Sequence, residues 1–175
     1  MGVVDKIIDC GIVAVIRKIP VSKVYQTIDA LVAGGVKIIE ITLDSENALE
    51  VIKNTKKKYD KDVIIGAGTV LDAEGAYNAI SNGAQFVFAP TLSSETIKVV
   101  KRYNKVAIPG VFTPTEILKA SEFGADIVVS EMVSAKGILY DNKNTTELLE
   151  VDPKERPVAV QLFGSDPEIL GAMAK

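Results

Sequence analysis

The 175-residue sequence has no histidine and no tryptophan, a single cysteine (Cys10) and only 6% aromatic residues. Without histidine there can be no His-based triad, His metal ligand or His proton shuttle. Acid–base work falls to carboxylates, lysines and hydroxyls. One cysteine excludes an internal disulfide and a thiolate metal cluster. No apolar run reaches roughly eighteen residues, so no spanning helix is expected. Met1-Gly2-Val3-Val4-Asp5 lacks the basic start and apolar run of a signal peptide. A net charge of −3 offers no attraction for nucleic acid or anionic membrane. What remains is ordinary: 47% apolar and 25% charged residues, and enough length to bury a core. A cytoplasmic enzyme is the expectation.

Val3, Val4, Ile7 and Ile8 keep helical spacing and predict a lead-in helix stopped by Gly11. Strands are then expected at 12–16, 36–43, 63–65, 85–89, 106–108 and 127–129, where short apolar runs end at polar residues, Gly or Pro. Between them lie helices at 21–34, 47–58, 73–82, 93–103 and 113–123, the last opened by a Thr-Pro-Thr-Glu cap. Strict alternation of strand and helix predicts a parallel sheet. Arg17, Glu40–Thr42, Gly66–Thr69, Pro90 and Pro109–Gly110 all fall at the same strand ends, which favours a common barrel mouth over an open, doubly wound sheet.

After residue 129 the rhythm breaks. Ser130 and Glu131 read as a strand opening into a loop, and 135–150 as a polar loop with one helical turn near Leu148-Leu149. A charged, proline-containing stretch follows at 152–156. Pro157–Phe163 reads as a strand with a buried Gln161, and Gly164–Glu168 as the start of a helix over 167–175. That makes about seven strands. The expected fold is an α/β, (β/α)8 TIM-type barrel, incomplete by one strand.

Several residues carry more than one reading. Glu40, inside a buried strand, is a general base, an ion-pair partner of Arg17 or a strand-end group reaching water. Gly66-Ala67-Gly68-Thr69 is an anion cradle of backbone N–H groups or a plain tight turn. Pro90 is a strand stop or a pocket wall. Gln161 makes a cross-barrel hydrogen bond or contacts a cofactor. Lys136 and Lys143 read as solvated.

The runs Gly11–Arg17, Ala33–Thr42, Ile65–Val70, Gly83–Phe86, Ala89-Pro90 and Ile108–Glu116 together resemble the bacterial KDPG/KHG aldolases, over residues 1 to about 128. The resemblance implies a class I aldolase on a (β/α)8 barrel, typically trimeric. Such enzymes cleave 2-keto-3-deoxy-6-phosphogluconate or 4-hydroxy-2-oxoglutarate to pyruvate plus an aldehyde. A lysine on the sixth strand forms a Schiff base with the keto group, and the protonated imine is the electron sink, so no cofactor or metal is implied. Glu40 matches the acid/base glutamate. Thr69 and Pro90 match pyruvate-pocket positions, Arg17 a strand-end arginine, and Asp44 falls where some members have an arginine for the substrate phosphate, so the resemblance does not carry a phosphorylated substrate over to this chain. The implied partner is a small keto acid, with no membrane or nucleic acid.

At the lysine position this sequence has Val129, so impaired activity is expected. Beyond it, Glu122–Gly137 and Glu155–Glu168 resemble the N-terminal part of a tRNA-dihydrouridine synthase, an FMN-dependent reductase in which the residue matching Gln161 contacts the flavin. Two segments are therefore expected, an aldolase-like 1–128 and a synthase-like 129–175. FMN and tRNA enter only if the second resemblance governs function; an inactive chimera is the further alternative.

Overall fold

The computed structural model describes residues 2–152 and 156–174. Helix α1 (Val3–Cys10) leads into five βα units: β1 (Ala14–Ile16), α2 (Val21–Ala33), β2 (Ile38–Thr42), α3 (Ala48–Tyr59), β3 (Ile64–Gly68), α4 (Ala73–Ser81), β4 (Phe86–Ala89), α5 (Ser94–Arg102), β5 (Val106–Pro109) and α6 (Pro114–Phe123). The boundaries follow local chemistry. Thr113 caps α6 while Glu116 reaches back to it, the capping box read from the sequence, and Gly124 ends that helix at φ 87°, a left-handed conformation a side chain would strain. Asp72 and Ser93 cap α4 and α5 by accepting backbone N–H groups.

The strands pair in parallel in the order β1-β2-β3-β4-β5, as expected for a singly wound barrel wall. Register aligns Val15 with Glu40, Glu40 with Gly66, Gly66 with Phe86 and Phe86 with Val106, so these five positions share one face. Two apolar layers result. Ile16, Ile39, Ile41, Ile65, Ala67, Val87 and Ala107 pack outward under the helices. Ile38, Ile64, Phe86, Val106 and Ile108 pack inward with Ile7 of α1. The inward layer is the barrel interior.

The C-terminal part is β6 (Val128–Ser134), α7 (Ala135–Leu139), α8 (Lys143–Glu147), β7 (Val158–Phe163) and α9 (Pro167–Met173). β6 and β7 form their own parallel pair, joined to the main sheet through a bridge between Gly110 and Val129. Among the described residues β7 does not pair with β1, so the seven strands expected are present and the wall stays open.

Three expectations need correction. The glycine run after residue 65 is strand, not turn: Gly66 and Gly68 extend β3, because their missing side chains make room for Phe86 and Glu40. Strand β6 runs on through Ser134 past a bulge between Val129 and Met132, so Ser130 and Glu131 lie within it. Residues 135–147 form two short helices where one turn near Leu148 was expected; Ser134 and Asn142 cap them. The charged stretch at 152–156 lies partly outside the described residues. No helix among those described is long and apolar enough to cross a membrane.

Candidate active site

All five residues of β2 are buried. Alternation sends Ile39 and Ile41 outward and Ile38, Glu40 and Thr42 toward the interior. Glu40 is 6% exposed. A Cβ built on Gly68 would overlap Glu40 Oε1, so the carboxyl group lies across bare backbone of β3. Burial pushes its pKa up to about 7, against the nearby Arg17 charge, which pulls it down. A carboxyl that titrates near neutrality inside a barrel can both take and return a proton.

Above it, the ends of β1 and β2 are tied by charge. Asp44 Oδ2 accepts from Arg17 Nε at 3.1 Å and Arg17 Nη2 at 3.0 Å, and lies 3.4 Å from Lys18 Nζ. The Lys18 backbone N–H donates to Ser45 Oγ at 2.8 Å, and Ser45 Oγ shares a 2.9 Å bond with Thr42 Oγ1. Thr42, with Arg17 and Lys18, holds the Asp44 carboxyl down at about 2. The sequence reading found Arg17 and Thr42, and Asp44 through the resemblance, but missed Lys18 and Ser45. Their signal was a polar pair after each of two neighbouring strands.

Thr69 follows Gly68 in a left-handed conformation, φ 54°, half-buried at the end of β3. Pro90 is exposed at the end of β4, its carbonyl so near Gly110 that a Cβ there would overlap it. Arg17, Thr69 and Pro90 thus share the carboxyl end of one sheet, and Glu40 lies mid-strand on β2, on its interior face below them. Gln161 does not join them. It lies on β7 opposite Met132 and is exposed, so the buried amide expected from the sequence is corrected: with only β6 beside it, β7 leaves that face open.

Val129 is 7% exposed and packs in the same interior cluster as Phe86, Ile108 and Ile127. Its carbonyl accepts from Val111 N–H at 3.0 Å, fixing β6 against the end of β5. The sixth strand therefore offers the interior a methyl-tipped side chain and no amine. Lys136, just past β6, is exposed and lines a separate cavity of about 400 Å³ with Ser134, Phe163, Ser165 and Asp166.

A family profile for KDPG and KHG aldolase matches residues 3–137. The KHG/KDPG aldolase of Escherichia coli K12 is 36% identical over 95 residues, covering 54% of this chain and 44% of that protein. The 2-dehydro-3-deoxy-phosphogluconate aldolase of Haemophilus influenzae is 33% identical over 135 residues, covering 77% of this chain and 63% of its own length. The chain thus spans about half the length of such curated relatives. A KDPG aldolase structure from Legionella pneumophila, with pyruvate captured as a covalent carbinolamine, shares the fold at a TM-score of 0.70 and 20% identity, covering 93% of this chain and 91% of that one. With its profile match across most of the chain, its strand-borne Glu40 and its parallel barrel wall, this protein belongs to the KDPG/KHG aldolase family.

Proposed function

We propose that the chain carries the keto-acid pocket of a class I aldolase of the KDPG/KHG type, with Glu40 as the proton-transfer group. The observation that carries this reading is the buried, near-neutral carboxyl of Glu40 lying across Gly68 on the interior face. In the full reaction a lysine amine adds to the keto carbon of the substrate, loses water and forms a protonated imine. Cleavage of the carbon–carbon bond then sends its electron pair into that imine, while a base takes the proton of the departing aldehyde's hydroxyl. Glu40 would hold and return that proton, and Arg17, Thr69 and Pro90 would border the keto acid. This chemistry draws on no metal or organic cofactor.

Val129 interrupts the sequence at its first step. Catalysis is sensitive to errors of about 1 Å in a reacting atom, and the exposed Lys136 lies past the end of β6. The chain as it stands should therefore bind a keto acid without cleaving it. Borohydride reduction in the presence of pyruvate tests this: no lysine is labelled in the chain itself, and the Val129→Lys variant is labelled at position 129. A labelled lysine in the unaltered chain overturns the reading.

Residues 129–175 are proposed as a segment of separate origin. Support comes from the β6–β7 pair, which stands apart from the five-stranded sheet. The exposure of Gln161 lends nothing to a flavin site. A cytoplasmic homotrimer acting on small keto acids is the setting proposed.

A further inference from the structure

Glu40 on β2, Gly66 on β3 and Phe86 on β4 lie in one row across the inner face of the wall. Gly66 stands between the other two and brings no side chain of its own. The fully buried Phe86 ring fills that gap: its Cδ2, Cε2 and Cζ atoms overlap the place where a Cβ on Gly66 would stand. Neighbouring strands are about 4.8 Å apart, so the ring edge occupies the space directly beside Glu40. Phe88, two residues nearer the mouth on β4, packs edge-on to that ring, with centroids 5.8 Å apart and planes at 83°, and backs it from above. Glu40 does not reach straight across to Gly66. Its carboxyl crosses diagonally to Gly68, the residue that pairs with Thr42, where Oε1 takes the place of a Cβ.

We propose that Phe86 is a positioning residue for proton transfer: its ring closes the slot over Gly66 and so turns the Glu40 carboxyl onto Gly68, next to Thr69 and toward the mouth. This rests on the keto-acid pocket proposed above and adds the group that aims its acid–base residue. Two bare glycines on one face of β3 offer the Glu40 side chain two resting places. The ring leaves it one. A carboxyl lying over Gly66 would sit two strand residues deeper, about 6.6 Å along β3. Proton transfer works over roughly 3 Å between heavy atoms, so the deeper place is out of reach of a substrate beside Thr69. Phe86 has no group that exchanges protons and acts only through Glu40.

The test uses the full chain and two variants of β4. Phe86→Leu keeps an apolar side chain and most of the volume, which preserves the fold, but lacks the Cε2 and Cζ atoms that cover Gly66. Val87→Ala, one residue on and packed in the outer layer, loosens the same strand without touching the row. The Gly66 and Gly68 backbone amides are followed by 15N NMR while the Glu40 carboxyl is titrated and monitored by 13C. An ionising carboxyl shifts most the amide it lies against. The larger shift is expected at Gly68 in the unaltered chain and in V87A, and at Gly66 in F86L. A larger shift still at Gly68 in F86L, or the same transfer in V87A, overturns the proposal. Pyruvate added to the unaltered chain and read at the Thr69 amide tests the pocket separately. No shift there ends the pocket reading, while the glycine comparison still decides what aims Glu40.

Discussion

Strands β2 and β7 are of similar length and both parallel, yet every residue of β2 is buried and none of β7 is. The difference lies in their neighbours. β2 is paired on both edges, covered by helices outside and by the inward layer within. β7 has β6 on one edge and nothing paired to the other among the described residues. A buried carboxyl can be poised near neutrality only where water is excluded from every side, and that condition holds at Glu40 and fails at Gln161. Pocket chemistry belongs to the first five strands.

The contrast predicts unequal costs for the same substitution. Phe86, fully buried and edge-on to Phe88 with ring centroids 5.8 Å apart, should lose about 4 kcal/mol as Phe86→Ala. Phe163→Ala on β7, already 49% exposed, should lose under about 1 kcal/mol. Urea unfolding of both variants measures the difference, and equal losses would dissolve the comparison.

The next effect depends on pH. Below the unfolded-state value of 4.5, Glu40 is protonated in both states and costs nothing. As pH rises from 4.5 to about 7 the unfolded chain gives up its proton and the folded one keeps it. Folding therefore loses roughly 3 kcal/mol across that window, and the loss is complete above it. Glu40→Gln should flatten this slope when urea midpoints are compared at acidic and mildly alkaline pH.

Gly68→Ala sharpens the same point by placing a methyl where Glu40 Oε1 lies. About 2 kcal/mol of destabilisation is expected, with Glu40 displaced and its titration moved. Thr113→Ala removes the cap of α6 and should cost about 1 kcal/mol in thermal or urea unfolding, without touching Glu40.

How much of this was legible in the sequence differs between the same two regions. The five βα units were legible because each strand is an apolar run and each helix has its own cap or stop, as at Thr113 and Gly124. The sites of Arg17, Thr69 and Pro90 followed from strand ends, and that of Glu40 from a carboxylate inside a buried strand. The extension of β3 through Gly66 and Gly68 was not legible, since glycine is a poor strand former and its reason, the bulk of Phe86 and Glu40, comes from other strands. The pairing of Asp44 was not legible either: its partners, Arg17 and Lys18, lie 27 and 26 positions earlier in the chain and meet it only across the pairing of β1 with β2. In the C-terminal part the exposure of Gln161 depended on a missing neighbour, which an apolar pattern cannot reveal.

The most direct test of the account is the titration of Glu40 itself, by 13C NMR of its side-chain carboxyl in the full chain. The account predicts a midpoint near 7, falling toward the ordinary carboxylate range in Gly68→Ala, where the carboxyl is pushed off β3 toward water. A midpoint near 4.5 in the unaltered chain would mean that Glu40 reaches solvent. The first five strands would then hold no poised acid–base group.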